Sequence, residues 1–460
     1  MKVPEILIQK YNTAAPRYTS YPPANFFKNN EWDNKQIINI IQQSNERNPQ
    51  HIAIYIHIPF CNKICYYCGC YATKLSKNTD TRSYIEALKK EISMVAAQLD
   101  KSRKVSQIHY GGGTPNALEA SVIKELNEFI LSKFTTIDNP EIAIECNPAY
   151  LDYSYIDALL QAGFNRFSLG IQDFNTSILK TVNRDASQLP LQDVLDYIKQ
   201  ANPQHGVNFD FIYGLPGQTS DSFAYSIEKA IDIKPDRLVT FSYAHVPWVK
   251  KHQLILEQKG LPSSQEKMQM FLTAYELLKA GGYMPIGFDH YVLPHDELYK
   301  ALQNNELHRN FQGYCTRRTT GQVYAFGVSA ITQLEQAYLQ NTKDMDAYIT
   351  SLHKGLLPVD KYYTLNNKEL IIRDVITQLM CNQYIDLDMQ AQKFGITRDE
   401  LFSVVRVNEQ EIRNFENDNL LFFNDNKIKI TEIGNVFMRN IAASLDPLYH
   451  IENQTYSKTV

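Results

Sequence analysis

The chain has 460 residues, 44% of them hydrophobic and 21% charged, which is enough apolar material for a large core and excludes a disulfide miniprotein or a disordered tail. Lys+Arg 46 against Asp+Glu 50 leaves a net charge of -4, so no global positive field draws the chain to nucleic acid or an anionic membrane. No apolar run reaches the roughly 18–20 residues of a membrane span, and the polar start MKVPEILIQK lacks the apolar core of a signal peptide, so the expected location is cytoplasmic.

In chain order, AIYIHIPF at 53–60 has the length and the branched, aromatic composition of a buried strand. A cysteine-rich loop follows, and then DTRSYIEALKKEISMVAAQLD, where Ile85, Leu88, Ile92, Val95 and Leu99 mark the inward face of a helix. The alternation recurs. QIHYGGG at 107–113, EIAIECNP at 141–148, RFSLGIQ at 166–172 and VNFDFIYGLPG at 207–217 read as strands with helical stretches behind them, and RLVTFSY at 237–243 opens the sixth unit. Strands alternating with helices predict an α/β fold with a parallel sheet. Cys61, Gly111 to Thr114, Glu145, Gln172, Asp210 and Tyr243 would face one mouth from successive strand ends, which favours a partial (β/α)6 barrel over an open doubly wound sheet.

A helix is expected from about 264, followed by YMPIGFDHYVLP and then polar, irregular sequence through residue 325. Residues 344–356 read as helical. Beyond 365 come the helical pieces IIRDVITQLMCN and DELFSVVRVNEQEIRNF, the hairpin LLFFNDNKIKIT and a final helix in EIGNVFMRNIAASL. This resembles a helical or winged-helix module, but it lacks a concentrated Lys/Arg face, so a covering role is expected rather than DNA binding. The expected divisions are an N-terminal extension at 1–50, the barrel at 51–300, a substrate and cofactor segment at 301–362 and a C-terminal helical domain at 363–460.

Four of the seven cysteines lie in CNKICYYCGC, at Cys61, Cys65, Cys68 and Cys70. Such crowding points to reduced thiols around a metal centre, with an iron-sulfur cluster favoured and structural zinc the rival; zinc needs a distant second pair or a histidine, which is not evident. GGGTPN at 111–116 is either a turn or a loop that lets a polar ligand approach the backbone; it is neither a dinucleotide fingerprint nor a P-loop. Glu145, Gln172, Asp210 and Arg184 would be satisfied by a polar ligand or by internal ion pairing. The segment HRNFQGYCTRRTTG at 308–321 carries Arg309, Arg317 and Arg318, whose planar donor forks suit carboxylates as well as solvent.

Taken together, CNKICYYCGC, GGGTP, Glu145 and RNFQGY resemble the oxygen-independent coproporphyrinogen III oxidases of the radical S-adenosylmethionine superfamily, as do PRYTSYPPA at 16–24 and FDHYVLPHDEL at 288–298. The resemblance implies a [4Fe–4S] cluster on Cys61, Cys65 and Cys68, with Cys70 a family marker near the substrate side rather than a ligand. It places S-adenosylmethionine against Tyr55, Gly111, Gly112, Gly113, Thr114, Glu145, Gln172, Arg184, Asp210, Ala244 and Ile331. A second S-adenosylmethionine is implied beside Gln312, giving two per chain, and Arg17, Arg309, Arg317 and His290 become candidates for the substrate side. The implied reaction takes a propionate β-hydrogen with a 5'-deoxyadenosyl radical and releases CO2, twice, to give protoporphyrinogen IX in heme biosynthesis. Flavodoxin or ferredoxin is the implied electron donor to a monomer. The run CTRRTTGQVYAFG departs from the family pattern, with Cys315 and Arg317 where Thr and Gln are usual. The related heme chaperones generally lack the Gly-Cys after the third cluster cysteine and lack RNFQGY, which argues against that reading; a zinc-containing interaction protein is the rival of another class.

Overall fold

The computed structural model describes residues 3–47, 49–316, 322–451 and 456–459. Six parallel strands lie side by side in chain order: β1 (Ile52–Ile58), β2 (Val105–Gly112), β3 (Thr136–Cys146), β4 (Arg166–Gln172), β5 (Gly206–Tyr213) and β6 (Arg237–Ser242). They correspond to the six expected units, and the sheet curves as a partial barrel with helices outside.

Local chemistry accounts for the helices. In Thr81–Ala96, Asp80 accepts from the Ser83 N–H, while Tyr84, Ile85, Leu88, Ile92 and Val95 are buried against the sheet. The helix ends before Leu99, which packs against the core only partly buried. Helices Ala120–Lys133, Tyr153–Gln161, Leu191–Ala201, Ser220–Ile233 and Ser264–Ala280 continue the outer layer.

Short strands run through YMPIGFDHYVLP and also through the stretch after it expected to be irregular up to 325. Met284–Ile286 and His290–Val292 extend the sheet antiparallel beyond β6, Leu307–Asn310 pairs with Gly313–Thr316 as a separate hairpin, and Val323–Phe326 adds a seventh parallel strand beside β1. Strands of three or four residues carry little periodic signal, and their partners are distant in sequence. The same sheet continues through Ile331–Gln333, Ala337–Asn341 and Val359–Thr364.

Residues 367–444 form short helices around a three-stranded sheet of Tyr384–Asp386, Leu421–Asn424 and Lys427–Ile430. Two expected helices are each broken. The 399–415 stretch divides into Arg398–Val404 and Glu409–Asn417 around Arg406 at φ 48°, and the final one divides at Phe437. The core of this unit takes in Leu7, Tyr11, Tyr18 and Tyr21 from the N-terminal segment. Tyr18 and Tyr21 both donate to Asp446, at 2.9 and 3.0 Å, while the Arg439 guanidinium donates to the carbonyls of Ala15, Pro16, Ser457 and Lys458. The chain's beginning is thereby fastened to its end.

Candidate active site

A cavity of about 450 Å³ occupies the barrel interior, between the cysteine loop and the hairpin at 307–316. Alternate residues of β2 to β6 point into it, as pleating requires. Its wall includes Gln107 and His109 of β2, Glu141 and Glu145 of β3, Arg166, Ser168 and Gln172 of β4, Asn208 and Asp210 of β5, and Arg237 and Phe241 of β6.

The cysteine loop lies over one end. Cys61, Cys65, Cys68 and Cys70 all line the cavity, and all are free thiols. Their loop is held by backbone and side-chain bonds that the sequence does not advertise. Tyr66 N–H donates to the Val182 carbonyl at 3.0 Å, and the Asn183 amide donates to the Ile64 carbonyl at 2.9 Å. From the other side, Lys250 donates to the Cys70 carbonyl at 2.7 Å and Gln253 to the Tyr67 carbonyl at 2.9 Å, with His252 Nε2 at 2.9 Å from the Cys68 carbonyl.

Within the loop the thiols differ. Cys70 donates to Cys68, and that hydrogen bond, outweighing burial, lowers the Cys68 thiol to about 6. Burial raises Cys61 to about 11, although the Thr114 hydroxyl at 3.4 Å opposes the shift. Arg184 places Nη1 3.6 Å from Cys65 Sγ and donates through Nη2 to the Gly170 carbonyl, so a fixed cation accompanies the thiols. Among the described residues, no three His, Cys, Asp or Glu side chains converge tightly enough for a single metal ion.

Opposite the loop, Glu145 Oε1 is 3.0 Å from His109 Nε2, and the carboxylate is 43% exposed to the cavity. Gly111 makes this approach possible: a Cβ there would lie 2.6 Å from Glu145 Oε1. Gly112, at φ 114°, lies against the His57 ring in the same way. The glycine run is therefore a packing device as well as a cavity wall. Asp210 accepts from Ser168 Oγ at 2.8 Å and from Asn208 Nδ2 at 2.9 Å. Burial, with a smaller push from Glu145, raises its carboxyl to about 6. Gln172 adopts φ 68°, a strained conformation for a non-glycine residue, and its Oε1 is buried without a hydrogen-bond partner.

The floor is a charged layer that motif reading missed. Glu141 accepts from Arg166 Nε at 2.5 Å and from Gln107 Nε2 at 2.6 Å, while Arg237 pairs with Asp296 at 2.7 Å and Glu297 at 3.3 Å. The signal was available as parity: 141, 145, 166, 168, 208, 210 and 237 are polar positions on the inward face of otherwise apolar strands.

Other sequence candidates lie at various distances. Gly112, Gly113, Thr114, Gln312 and His290 line the cavity, whereas Gly111 lies behind Glu145. The Tyr55 hydroxyl is 3.3 Å from His57 Nδ1, and its ring stacks at 6.0 Å on His109, its register partner on the same inward face; it backs the cavity lining without being part of it. Ala244 accepts from Gln253 below the cysteine loop, and Ile331 packs in the Tyr338 cluster with Phe311. Arg309 is stacked between Phe288 and Tyr314 at 4.7 and 5.1 Å, and its Nη1 donates to the Arg17 carbonyl at 2.8 Å, outside the cavity wall. Arg17 lines a smaller chamber nearby. Arg317 lies outside the described residues. Tyr243, expected at the mouth, instead packs beneath the loop with Tyr66 and Tyr67, because β6 ends at Ser242 and the chain turns away.

The chain is similar to known proteins along most of its length. Residues 55–230 match the Radical SAM superfamily. Over 441 residues the chain is 38% identical to the oxygen-independent coproporphyrinogen III oxidase of Synechocystis, covering 96% of this chain and 94% of that protein. The Escherichia coli protein of the same description is 34% identical, with 96% and 94% covered. The solved structure of the Escherichia coli coproporphyrinogen III oxidase superposes with a TM-score of 0.88 over 97% of this chain and 99% of that one.

Proposed function

The chain belongs to the oxygen-independent coproporphyrinogen III oxidases of the radical S-adenosylmethionine superfamily and carries out the oxidative decarboxylation of coproporphyrinogen III in heme biosynthesis; from that premise we propose that the barrel cavity is the reaction chamber and that Cys61, Cys65 and Cys68 hold the cluster. Membership of the superfamily implies a [4Fe–4S] cluster and S-adenosylmethionine. One observation carries the reading: the soft sulfur donors and the polar strand-end side chains face each other across a single cavity.

The residues fit such a group. Gln172 Oε1, Asn208 Oδ1 and Arg166 Nη1 are buried without protein partners and belong to cavity-lining residues, as a polar ligand requires. When bound, the cluster and S-adenosylmethionine would supply the one-electron radical chemistry needed to remove a propionate β-hydrogen. The protein's work is to position and enclose. Arg184 sets a positive charge beside Cys65, and Asn183, Lys250, His252 and Gln253 fix the loop's backbone. Glu145, Gln172 and Asp210 bind the amine and hydroxyl groups of the cofactor, with Gly111 giving Glu145 its place. Thr114, Gly112, Gly113, Tyr55, Ala244 and Ile331 complete or back that wall.

The second S-adenosylmethionine belongs beside Gln312, whose backbone is set by a 2.8 Å bond to Asn310 Oδ1 and which lines the same cavity. His290 stands across from it, tied to Asp289 at 2.6 Å, on the substrate side. Residues 1–50 and 363–460 serve as the cover, and 301–362 as the substrate and cofactor segment, whose strands from Val323 onward join the barrel sheet; the Arg309 to Arg17 bond and the shared core of Tyr18 and Tyr21 support the covering role. Two rounds give protoporphyrinogen IX, with flavodoxin or ferredoxin supplying electrons to a cytoplasmic monomer. Among the described residues, no helix is long and apolar enough to cross a membrane.

The test is anaerobic reconstitution of four serine variants. Wild type and Cys70→Ser should carry about four irons per chain, while Cys61→Ser, Cys65→Ser and Cys68→Ser should not. A Cys70 variant that loses the cluster, beside a Cys61 variant that keeps it, would overturn the ligand assignment.

A further inference from the structure

A second chamber, of about 50 Å³, adjoins the reaction cavity. Phe241 lines both, and Asp289 of the small chamber is bonded to His290 of the large one. The chamber is bounded by the ends of β5 and β6, helix Ser264–Ala280, the N-terminal segment and helix Met438–Ser444.

Three cations meet there: Arg17, Lys267 and Arg439. Arg439 is occupied by carbonyls of the two chain ends. Arg17 and Lys267 are not so occupied. Among the described residues, each side chain makes one hydrogen bond, at 3.4 Å, to the carbonyls of Ser242 and Tyr243 respectively. The chamber's one carboxylate among the described residues, Asp289, is bonded to His290 and also faces Arg17, so a single negative charge stands against three positive ones. Burial is the main force lowering the Lys267 ammonium to about 8, and the charges of Arg17 and Arg439 lower it further. Positive charge gathered out of water without enough counter-charge is costly unless an anion completes it.

The fold also makes room for the lysine. Gly214, at φ 87°, lies under its stem, where a Cβ would be 2.9 Å from Lys267 Cε. Size limits the occupant. The chamber offers about 50 Å³ against about 450 Å³ in the reaction cavity, room for a carboxylate group rather than a tetrapyrrole ring.

We propose that Arg17, Lys267 and Arg439 form a carboxylate site that anchors a propionate of coproporphyrinogen III while another propionate is presented in the adjoining cavity. The proposal rests on the family reading above and adds Lys267 and Arg439 to the substrate side. A charged hydrogen bond lost from such a site costs roughly tenfold in affinity.

The experiment titrates reconstituted holoenzyme, without oxygen, with coproporphyrin III, the stable oxidised tetracarboxylate, and follows its fluorescence. Lys267→Met should bind about tenfold more weakly than wild type, and Lys267→Arg within about threefold. The tetramethyl ester should bind wild type and Lys267→Met equally. Arg17→Gln provides a second reading if Lys267→Met fails to fold, and it should show a comparable loss. Unchanged affinity for the acid, or an equal loss for the ester, overturns the site. So does a chamber that responds to chloride or phosphate while both variants keep wild-type affinity for coproporphyrin III. Decarboxylation by the wild type is assayed alongside: if it is absent, the family reading falls too, and if it is present with unchanged variant affinity, only the chamber falls.

Discussion

Asp210 offers a prediction whose sign and size follow from its surroundings. The carboxyl faces Ser168 and Asn208 without a pairing cation within hydrogen-bonding reach, and burial moves it from 3.8 to about 6. A folded pKa above the unfolded value means that the proton is held more tightly in the native state. Its stabilising contribution is therefore complete below pH 3.8 and is lost as pH rises through about 6. Relative to the protonated form, ionised Asp210 costs the cofactor-free fold about 3 kcal/mol at pH 7.5 and about 1 kcal/mol at pH 4.5. In Asp210→Asn the group no longer titrates. Urea unfolding of both proteins at the two pH values should show the variant gaining about 2 kcal/mol on wild type between pH 4.5 and 7.5. A difference that stays constant with pH, or moves the other way, would refute the assignment of a buried, unpaired carboxylate.

Other substitutions probe the remaining walls. Arg184→Ala should weaken S-adenosylmethionine binding about tenfold before it lowers iron content, read by equilibrium binding and iron analysis on the same sample; unaltered affinity would count against its role. Gly111→Ala drives a methyl into Glu145 and should reduce cofactor affinity by a similar factor while leaving iron at the wild-type level. Arg237→Met strips the partner from Asp296 and part of the support from Glu141, and should destabilise the fold by about 3 kcal/mol in urea unfolding, with no change meaning that the floor carries no stabilising charge.

The barrel was legible because each of its strands is long enough to show burial and each is followed by a helix with a clear apolar face. Cys61, Glu145, Gln172 and Asp210 could be placed together because parallel strands end on one side. Leu307–Asn310, Gly313–Thr316 and Val323–Phe326 could not be read as strands in the same way. Val323–Phe326 becomes a strand only because β1, some 270 residues earlier, offers it an edge. The cysteine-loop clamp was hidden for a related reason. Lys250, His252 and Gln253 look like a polar surface stretch, and their role follows only when that stretch folds onto carbonyls 67–70. The floor of Glu141, Arg166 and Arg237 was open to reading by inward parity, but motif reasoning attends to strand ends and passed over it.

The most direct test follows the hydrogen. Coproporphyrinogen III deuterated at the β carbons of its propionates is incubated without oxygen with reduced holoenzyme and S-adenosylmethionine, and the 5'-deoxyadenosine formed is analysed by mass spectrometry. Deuterium in that product from wild type, with none formed by Cys65→Ser, is the result expected of a cavity that brings cofactor and propionate together beneath the cysteine loop. Vinyl product accompanied by unlabelled 5'-deoxyadenosine would contradict it.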